Sequence, residues 1–320
     1  MTASTVSAAP EGTILERSLV VPSMGGTLRL LVGHAPGQEA AADAALTGCA
    51  ARVERWAARL TRYTTTSDLA ALNADPSRAR TPVRPTLGAV LGWAERAVHA
   101  ADGLLDVTML DERLAAQGLL PAAPAVETRT DRWWLERGTR SSVVHRRGTF
   151  RFDLDGVAKG WIADRALELL RAWPAALVDA DGDIALRPGP IGAWMIGVAD
   201  PRPDTDHDLA MLRLSGDGPA GRIAVATSGT SVHRWVDGPD GAPRHHLIDP
   251  RTRRPARTDV IQVTVIGRTA REAEVLAKTA LIAGSHAGLD RLEDSAALGA
   301  ILLLTSGETI ALPRTLELLA

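Results

Sequence analysis

The chain has 320 residues, enough for one large domain or two lobes around a buried core, and its 45% hydrophobic and 23% charged content is ordinary for a globular protein. The formal net charge of −2 gives no reason to expect a nucleic acid or an anionic membrane as a partner. The single cysteine, Cys49, excludes an intrachain disulfide and any multi-cysteine metal site.

The N-terminal residues 1–17 are small, polar and irregular, and we expect them to form a loose segment. They lack a basic region followed by an apolar run, so they do not resemble a signal peptide. No stretch of the sequence approaches the ~20 apolar residues that a membrane-spanning helix needs. We therefore expect a cytoplasmic protein without direct membrane insertion.

The first half of the chain is predicted to be mainly helical after an initial strand pair. Apolar residues recur at alternating spacings of four and three along the first long helix, and Cys49 lies on this buried face. Ser67 or Thr66 is expected to cap a short helix that follows the only tyrosine, Tyr63. The predicted elements are a strand pair within 18–32 interrupted at 23–26, helices at about 38–60 and 86–101, and an excursion between the two halves over 121–142.

The second half is richer in strands and has too few regular strand–helix alternations for a doubly wound fold. We expect an α+β fold with mixed or antiparallel sheets and helices packed on one face. Thr269 and Glu272 have the spacing of a capping box at the start of a helix that ends near Ala283. The predicted strands lie at about 143–153, 175–180, 184–187, 193–199, 209–214, 222–227, 260–267, 297–305 and 309–312, with a hairpin across 232–248.

The segment 150–170 is predicted to run from a strand through a glycine-containing turn into a helix. Lys159 then lies in or near the first helical turn, where the helix dipole disfavours a cation. A nearby anion would stabilise the lysine, and phosphate is the usual anion at a helix N-terminus. A solvated lysine beside Asp153, Asp155 and Asp164 explains the local pattern equally well.

Other polar stretches also have an ordinary structural interpretation when each is taken alone. Asp179, Asp181 and Asp183 would share one face of a strand and repel each other without a cation, unless a turn at 181–182 separates them. His246 and its neighbouring histidine precede an Asp-Pro pair, as capping side chains in a turn often do. Ser228 lacks a Gly-x-Ser-x-Gly context, which argues against a serine hydrolase.

Taken together, in their order and spacing, these stretches resemble the ApbE-type flavin transferases, the FAD:protein FMN transferases. The resemblance runs from about Met24 to about Gly284. Its most specific motifs are Asp153-Leu154-x-Gly156-x-Ala158-Lys159-Gly160-Trp161-x-x-Asp164, Thr227-Ser228-Gly229-Thr230 and His246-Leu247-Ile248-Asp249-Pro250-Arg251-Thr252.

The resemblance implies a two-lobed, T-fold-like single domain over 18–320. It also implies an enzyme that transfers the FMN half of FAD to a Ser or Thr hydroxyl in a flavinylation motif of an acceptor protein and releases AMP. A divalent metal, usually magnesium, is expected on the pyrophosphate, and His246 is expected to accept the hydroxyl proton. The FAD contacts implied by the resemblance are Met24, Tyr63, Asp106, Asp153, Lys159, Asp164, Asp181, Ser228, Gly229 and Ile248.

The implied metal site departs from the family pattern. The family uses the backbone carbonyl at the position of Gly156 with an Asp and a Thr on a late helix, where this chain has Glu274 and Lys278. Protonated lysine has no acceptor and cannot ligate magnesium. Three positions where glycine is common in the family hold other residues, namely Asp155, Asp181 and Arg253.

Three hypotheses follow from this departure. In the first, the ammonium of Lys278 is held by Glu274 and replaces the metal. In the second, the metal is kept and Asp155 and Asp181 become its ligands. Alternatively, Glu274 and Lys278 form an exposed pair worth ~0.3–0.5 kcal/mol in a decayed site. An FAD pyrophosphatase and an FAD-binding protein without catalysis are therefore alternatives to the transferase.

Overall fold

The computed structural model describes residues 3–4, 14–121, 132–138, 141–203, 205–216, 221–231, 234–235 and 244–320. The helices are α1 (Glu39–Leu60), α2 (Asp68–Asn73), α3 (Pro85–Ala100), α4 (Leu110–Ala116), α5 (Ala158–Leu169), α6 (Ala270–Ala283) and α7 (Ser285–Glu293), with 3-10 turns at Gly189–Ile191 and Pro313–Leu318. The strands are β1 (Ala3–Ser4), β2 (Leu15–Ser23), β3 (Gly26–His34), β4 (Arg80–Val83), β5 (Trp133–Arg137), β6 (Ser142–Arg146), β7 (Ala175–Ala180), β8 (Asp183–Arg187), β9 (Ala193–Ala199), β10 (Asp208–Ser215), β11 (Ile223–Gly229), β12 (Arg234–Trp235), β13 (Arg244–His245), β14 (Ile248–Asp249), β15 (Arg254–Pro255), β16 (Val260–Gly267), β17 (Gly299–Leu304) and β18 (Thr309–Ala311).

An eight-stranded sheet in the order β18-β17-β16-β11-β8-β7-β3-β2 forms the centre of the fold. Three-stranded sheets β1-β9-β10 and β4-β6-β5 and the strand pairs β12-β13 and β14-β15 surround it. Each of these pairings is antiparallel. The α+β class with antiparallel sheets is therefore confirmed.

The two faces of the central sheet are covered differently, because neighbouring strand residues point to opposite sides. Leu30 and Val178 pack in the same buried cluster as residues of α1 and α5, whereas Leu31 and Leu177 pack in a second cluster with Trp194 of β9. Helices thus cover one face, as predicted, and the sheet β1-β9-β10 covers the other. No helix in the described part of the chain is long and apolar enough to cross a membrane.

Several local predictions are confirmed in α1 and α2. Cys49 is 3% exposed on the buried face of α1, and desolvation raises the pKa of its thiol to about 12. Ser67 caps α2 by accepting a 2.9 Å hydrogen bond from the N–H of Ala70 at its Oγ. Both helices therefore follow from local sequence pattern and capping chemistry.

Other predictions are wrong at the edges of elements. Strand β2 begins at Leu15 and pairs with β3, so the segment expected to be loose ends before residue 17. The strand predicted over 143–153 ends at Arg146, because the N–H of Phe152 donates to the side chain of Asn73 instead of a neighbouring strand. The expected excursion over 121–142 contains β5, which pairs with β6, while 122–131 lie outside the described residues.

The predicted capping box at α6 is also wrong. Thr269 occupies the N-cap position, but its Oγ1 bonds the carboxylate of Glu272 at 2.6 Å instead of a backbone N–H. The first N–H groups of α6 are bound by Asp164 of α5, with distances of 3.0 Å to Ala270 and 3.4 Å to Arg271. Of the hairpin predicted over 232–248, β12 and β13 pair as expected, and 236–243 lie outside the described residues.

Candidate active site

The turn over residues 155–159, here called the lysine turn, lies where the sequence predicts it, at the start of α5. Lys159 is the second residue of that helix, and its Nζ donates a 2.8 Å hydrogen bond to Oδ2 of Asp181. Partial burial would lower the pKa of Lys159, but the negative charges of Asp183, Asp181 and Asp155 raise it above its usual value. Lys159 is therefore a charged lysine, and the anion beside it in this structure is a protein carboxylate.

Asp181 belongs to the tight turn that joins β7 to β8. Ala180 pairs with Asp183 across the hairpin, which leaves Asp181 and Gly182 as its two turn residues, with φ of +58° and +95°. Positive φ favours glycine, and aspartate is among the few other residues that tolerate it. Arg253 has a φ of +55°, so two of the three positions where the resemblance led us to expect glycine are left-handed.

The turn around Met24 adjoins this hairpin. Met24 has a φ of +55° in the turn between β2 and β3, and the N–H of Asp181 donates to the carbonyl of Thr27 at 2.9 Å. Tyr63 is 77% exposed, and its hydroxyl accepts a 2.8 Å bond from Arg62. The turn that contains Met24 therefore adjoins the hairpin turn of Asp181, whereas the ring of Tyr63 is open to solvent.

A buried arginine that the sequence analysis missed organises the acidic residues before α5. Arg113 of α4 is 5% exposed, lies 2.9 Å from Oδ2 of Asp153 and also pairs with the carboxylate of Asp155. Partial burial would raise the pKa of Asp155, but Arg113, Lys278 and His246 hold it well below its usual value. The sequence around Arg113 shows a short apolar periodicity, but nothing in it indicates that the guanidinium turns inward.

A second buried ion pair fixes α4 beside the same site. Glu112, which is 5% exposed, pairs with Arg253 in the turn between β14 and β15. Adjacent residues of α4 thus contact two sides of the site. Glu112 contacts the turn that contains Arg253, and Arg113 contacts residues 153–155 before α5, here called the acidic turn. Removing one partner of a buried pair leaves an uncompensated charge, so we expect both pairs to position the site.

An open pocket lies between the loop after α3, the acidic turn, the segment after β13 and α6. It brings together four of the predicted site residues with Arg113 and with Asp155 and Lys278, two of the four residues named in the metal-site hypotheses. The lining is Leu104, Leu105, Asp106, Val107, Met109, Arg113, Asp153, Asp155, His246, Ile248, Pro250, Lys278 and Ile282. The predicted residues outside this lining are Met24, Tyr63, Gly156, Lys159, Asp164, Asp181, Ser228, Gly229 and Glu274.

The two adjacent histidines have different surroundings. His245 lies 3.0 Å from the carbonyl of Ala256 through Nε2, and its Nδ1 accepts a 3.3 Å bond from the N–H of Leu247. His246 instead lines the pocket with Asp155 and Lys278. His245 therefore has structural contacts in this turn, and the role of His246 as a base stays a prediction.

The remaining predicted contacts lie at separate places. Asp106 accepts two bonds at Oδ1 from Thr108, of 2.8 and 2.7 Å, and desolvation raises the pKa of its carboxyl. Ser228 and Gly229 end β11, where they pair with β16. Asp164 is 3% exposed and binds the start of α6. Contacts of these residues with FAD stay predictions, and Asp164 has a structural role besides.

The residues assigned to magnesium by the resemblance do not fit a metal ion. The ammonium of Lys278 fills the space above Gly156, where an added Cβ would lie 1.9 Å from Nζ, and it donates to the backbone carbonyl of Asp155 at 2.6 Å. Glu274 is 6% exposed, and its Oε2 accepts a 3.0 Å bond from the N–H of Gly160. Among the residues described, no group of three His, Cys, Asp or Glu side chains could hold a metal.

This geometry corrects parts of all three metal-site hypotheses. Glu274 is buried on Gly160 and does not hold Lys278, so the exposed-pair hypothesis is wrong. Asp155 pairs with Arg113 and Asp181 pairs with Lys159, so neither carboxylate is arranged as a metal ligand. Of the three hypotheses, only the position of the Lys278 ammonium beside the acidic turn agrees with the structure.

Two buried carboxyl groups near Lys159 have raised pKa values, so this region carries less negative charge than its acidic residues suggest. Burial, followed by the charge of Glu274, raises the pKa of Asp183 well above its usual value. Burial also raises the pKa of Glu274 to about 7. The two side chains therefore do not both carry a full negative charge near neutrality, which favours an anionic ligand close to Lys159.

Comparison with known proteins relates the chain to one family. The ApbE family profile matches residues 24–302. The chain is 31% identical over 139 residues to the FAD:protein FMN transferase of Klebsiella pneumoniae (strain 342) and 31% identical over 159 residues to that of Treponema pallidum (strain Nichols). These matches cover 43% and 46% of this chain, and only 40% and 42% of the relatives' own lengths.

Solved structures share the fold over nearly the whole chain. The crystal structure of the ApbE protein from Thermotoga maritima gives a TM-score of 0.80 at 23% identity, covering 95% of this chain and 99% of that one. The apo form of the flavinyl transferase ApbE from Pseudomonas stutzeri gives 0.78 at 20% identity, covering 95% and 97%. At these identities the likeness establishes the fold alone.

Proposed function

The chain belongs to the ApbE family, and from this membership we propose that it transfers the FMN half of FAD to a serine or threonine hydroxyl of an acceptor protein and releases AMP. The observation that carries the proposal is the pocket in which His246 lies with Arg113 and Lys278. It combines a group that can accept a proton with a cation, Lys278, that suits a pyrophosphate. The acceptor protein and the cytoplasmic location remain predictions from the sequence.

The proposed reaction makes one bond and breaks one. The acceptor oxygen attacks the phosphorus of the FMN half, and the bond from that phosphorus to the bridging oxygen breaks, so AMP leaves with the bridging oxygen. The proton of the attacking hydroxyl passes to a base. His246 is the base we propose, because its ring lines the pocket and an imidazole ordinarily titrates near neutrality.

Positive charge on this chain would stabilise the phosphoryl group during transfer. Lys278 lines the pocket, and Lys159 lies at the start of α5, where backbone N–H groups also favour an anion. Arg113 is already shared between Asp153 and Asp155, so we assign it the role of positioning the acidic turn. The lysines are therefore the proposed phosphate contacts.

The test incubates the purified full chain with FAD, with and without magnesium, and with an acceptor domain that carries a Ser/Thr flavinylation motif. A matched acceptor with Ala at the modified position is the control. Covalent flavin fluorescence on the first acceptor alone, with one AMP released per flavin attached, supports transfer.

Other products would support a different activity of the same pocket. Free FMN and AMP without covalent flavin would identify an FAD pyrophosphatase, in which water replaces the acceptor hydroxyl. Retained FAD without either product would identify a binding protein. A chain without measurable affinity for FAD would contradict the proposed function altogether.

A further inference from the structure

We propose that Lys278 is a built-in cation for the pyrophosphate of the dinucleotide, so that this chain binds FAD without a divalent metal. The inference rests on the proposed function, because it takes FAD as the ligand of the pocket. It concerns the position, donors and surroundings of one side chain on α6.

The position of Lys278 is fixed from two sides. Its Nζ donates to the carbonyl of Asp155 at 2.6 Å, and its terminal atoms occupy the space that a side chain at Gly156 would need. Gly156 has a φ of +107°, a conformation that other residues rarely adopt. The glycine thus permits both the turn and the close approach of the ammonium.

The ammonium retains donors for a ligand. A lysine ammonium carries three N–H donors, and the bond to Asp155 uses one of them. Lys278 lines the pocket, where two further donors can reach an anion. Charge-assisted bonds of this kind are about twice as strong as neutral ones.

The neighbouring acids do not neutralise this ammonium by direct side-chain contact. The carboxylates of Asp153 and Asp155 pair with Arg113, and that of Glu274 accepts from the N–H of Gly160. In the described part of the chain, Lys278 bonds to a backbone carbonyl, which carries no full charge. Asp155 and Lys278 attract each other at longer range, but no side-chain carboxylate among the described residues forms an ion pair with Lys278, so a pyrophosphate at the pocket would be its direct charged partner.

The same arrangement disfavours a divalent ion. Magnesium takes about six oxygen ligands at close distance, and an ion at the carbonyl of Gly156 would face the ammonium of Lys278, which fills the space above that glycine. The charge of the Lys278 ammonium thus replaces the metal charge that would otherwise accompany the pyrophosphate.

The test measures FAD binding by calorimetry in EDTA and in excess magnesium for the wild-type chain, Lys278→Met and Lys278→Arg. We expect the wild-type affinity to agree within about twofold in the two buffers. Lys278→Met, which keeps the length of the side chain, should bind about tenfold or more weakly in EDTA, because it loses a charge-assisted contact. Lys278→Arg should retain most of the affinity, and magnesium titrated alone should give no binding heat with the wild type.

Two outcomes would overturn the inference. One is wild-type binding that appears only with magnesium, which needs no variant to be informative. The other is a folded Lys278→Met protein that binds FAD in EDTA as tightly as the wild type. Absence of FAD binding in either buffer would instead contradict the proposed function, so the two failures are distinguishable.

Discussion

The ammonium of Lys159 donates a 2.8 Å hydrogen bond to the carboxylate of Asp181, across the gap between the start of α5 and the β7–β8 turn. Both side chains are about one third exposed, at 31% and 38%. The carboxylate therefore occupies a donor that a phosphate ligand would use. FAD binding at Lys159 has to displace or share this contact.

Replacing Asp181 with Asn should strengthen FAD binding. Asn tolerates the positive φ of this turn and removes the negative charge beside Lys159. Because a partly exposed ion pair is worth ~0.2–1 kcal/mol, we expect affinity to rise by up to about fivefold, measured by flavin fluorescence titration. Asp43→Asn, which breaks the ion pair with Arg17, is the matched control and should leave the affinity unchanged. Weaker binding by Asp181→Asn would show that the carboxylate itself supports the ligand.

His246→Asn should separate chemistry from binding. Loss of a general base lowers a rate by about 10²–10⁴-fold, whereas the FAD dissociation constant should stay within about twofold of the wild type. Single-turnover transfer and equilibrium titration measure the two quantities. His245→Asn is the control, because His245 contacts Ala256 and Leu247 and should affect stability more than transfer in the folded protein. Equal single-turnover rates for His246→Asn and the wild type would exclude His246 as the base.

Asp164→Ala should destabilise the fold, because Asp164 binds the first N–H groups of α6 from within the core. We expect a loss of about 1–3 kcal/mol in the free energy of unfolding, measured by urea titration. Glu168→Ala on the same helix, whose side chain is 45% exposed, should cost much less. If folded Asp164→Asn binds FAD as the wild type does, the predicted contact between Asp164 and FAD is wrong.

Cys49 should be unreactive in the native protein. Its thiol is 3% exposed, and its pKa of about 12 leaves almost no thiolate at pH 8. A chromogenic disulfide reagent should therefore label no cysteine at pH 8, and should label one per chain in denaturant. Rapid labelling of the native protein would show that α1 opens readily from the central sheet.

Periodic elements of the fold were predictable from the sequence. The strands β7 and β16 have the predicted bounds because short apolar or β-branched runs identify buried strands. The segment from Phe150 to Leu154 was wrongly predicted as a strand, since its alternation is real but its N–H groups bond to Asn73 and Val107. Local pattern cannot reveal which partner a backbone group finds across the fold.

The site was predictable only in part, because motif order indicates which residues share a site but not the direction in which a side chain points. Motif order identified His246, Asp106, Asp153 and Ile248, which line one pocket. Arg113 was missed because its direction depends on the packing of α4, and an arginine in a short helix is ordinarily solvent-exposed.

The most direct test of the account is a crystal structure of the complex grown with FAD and manganese, with anomalous diffraction used to locate the metal. We expect the FAD pyrophosphate in the pocket, with Nζ of Lys278 within about 3 Å of a phosphate oxygen and without an anomalous peak beside Gly156. A manganese peak at the carbonyl of Gly156, with the Lys278 side chain displaced from Asp155, would contradict it.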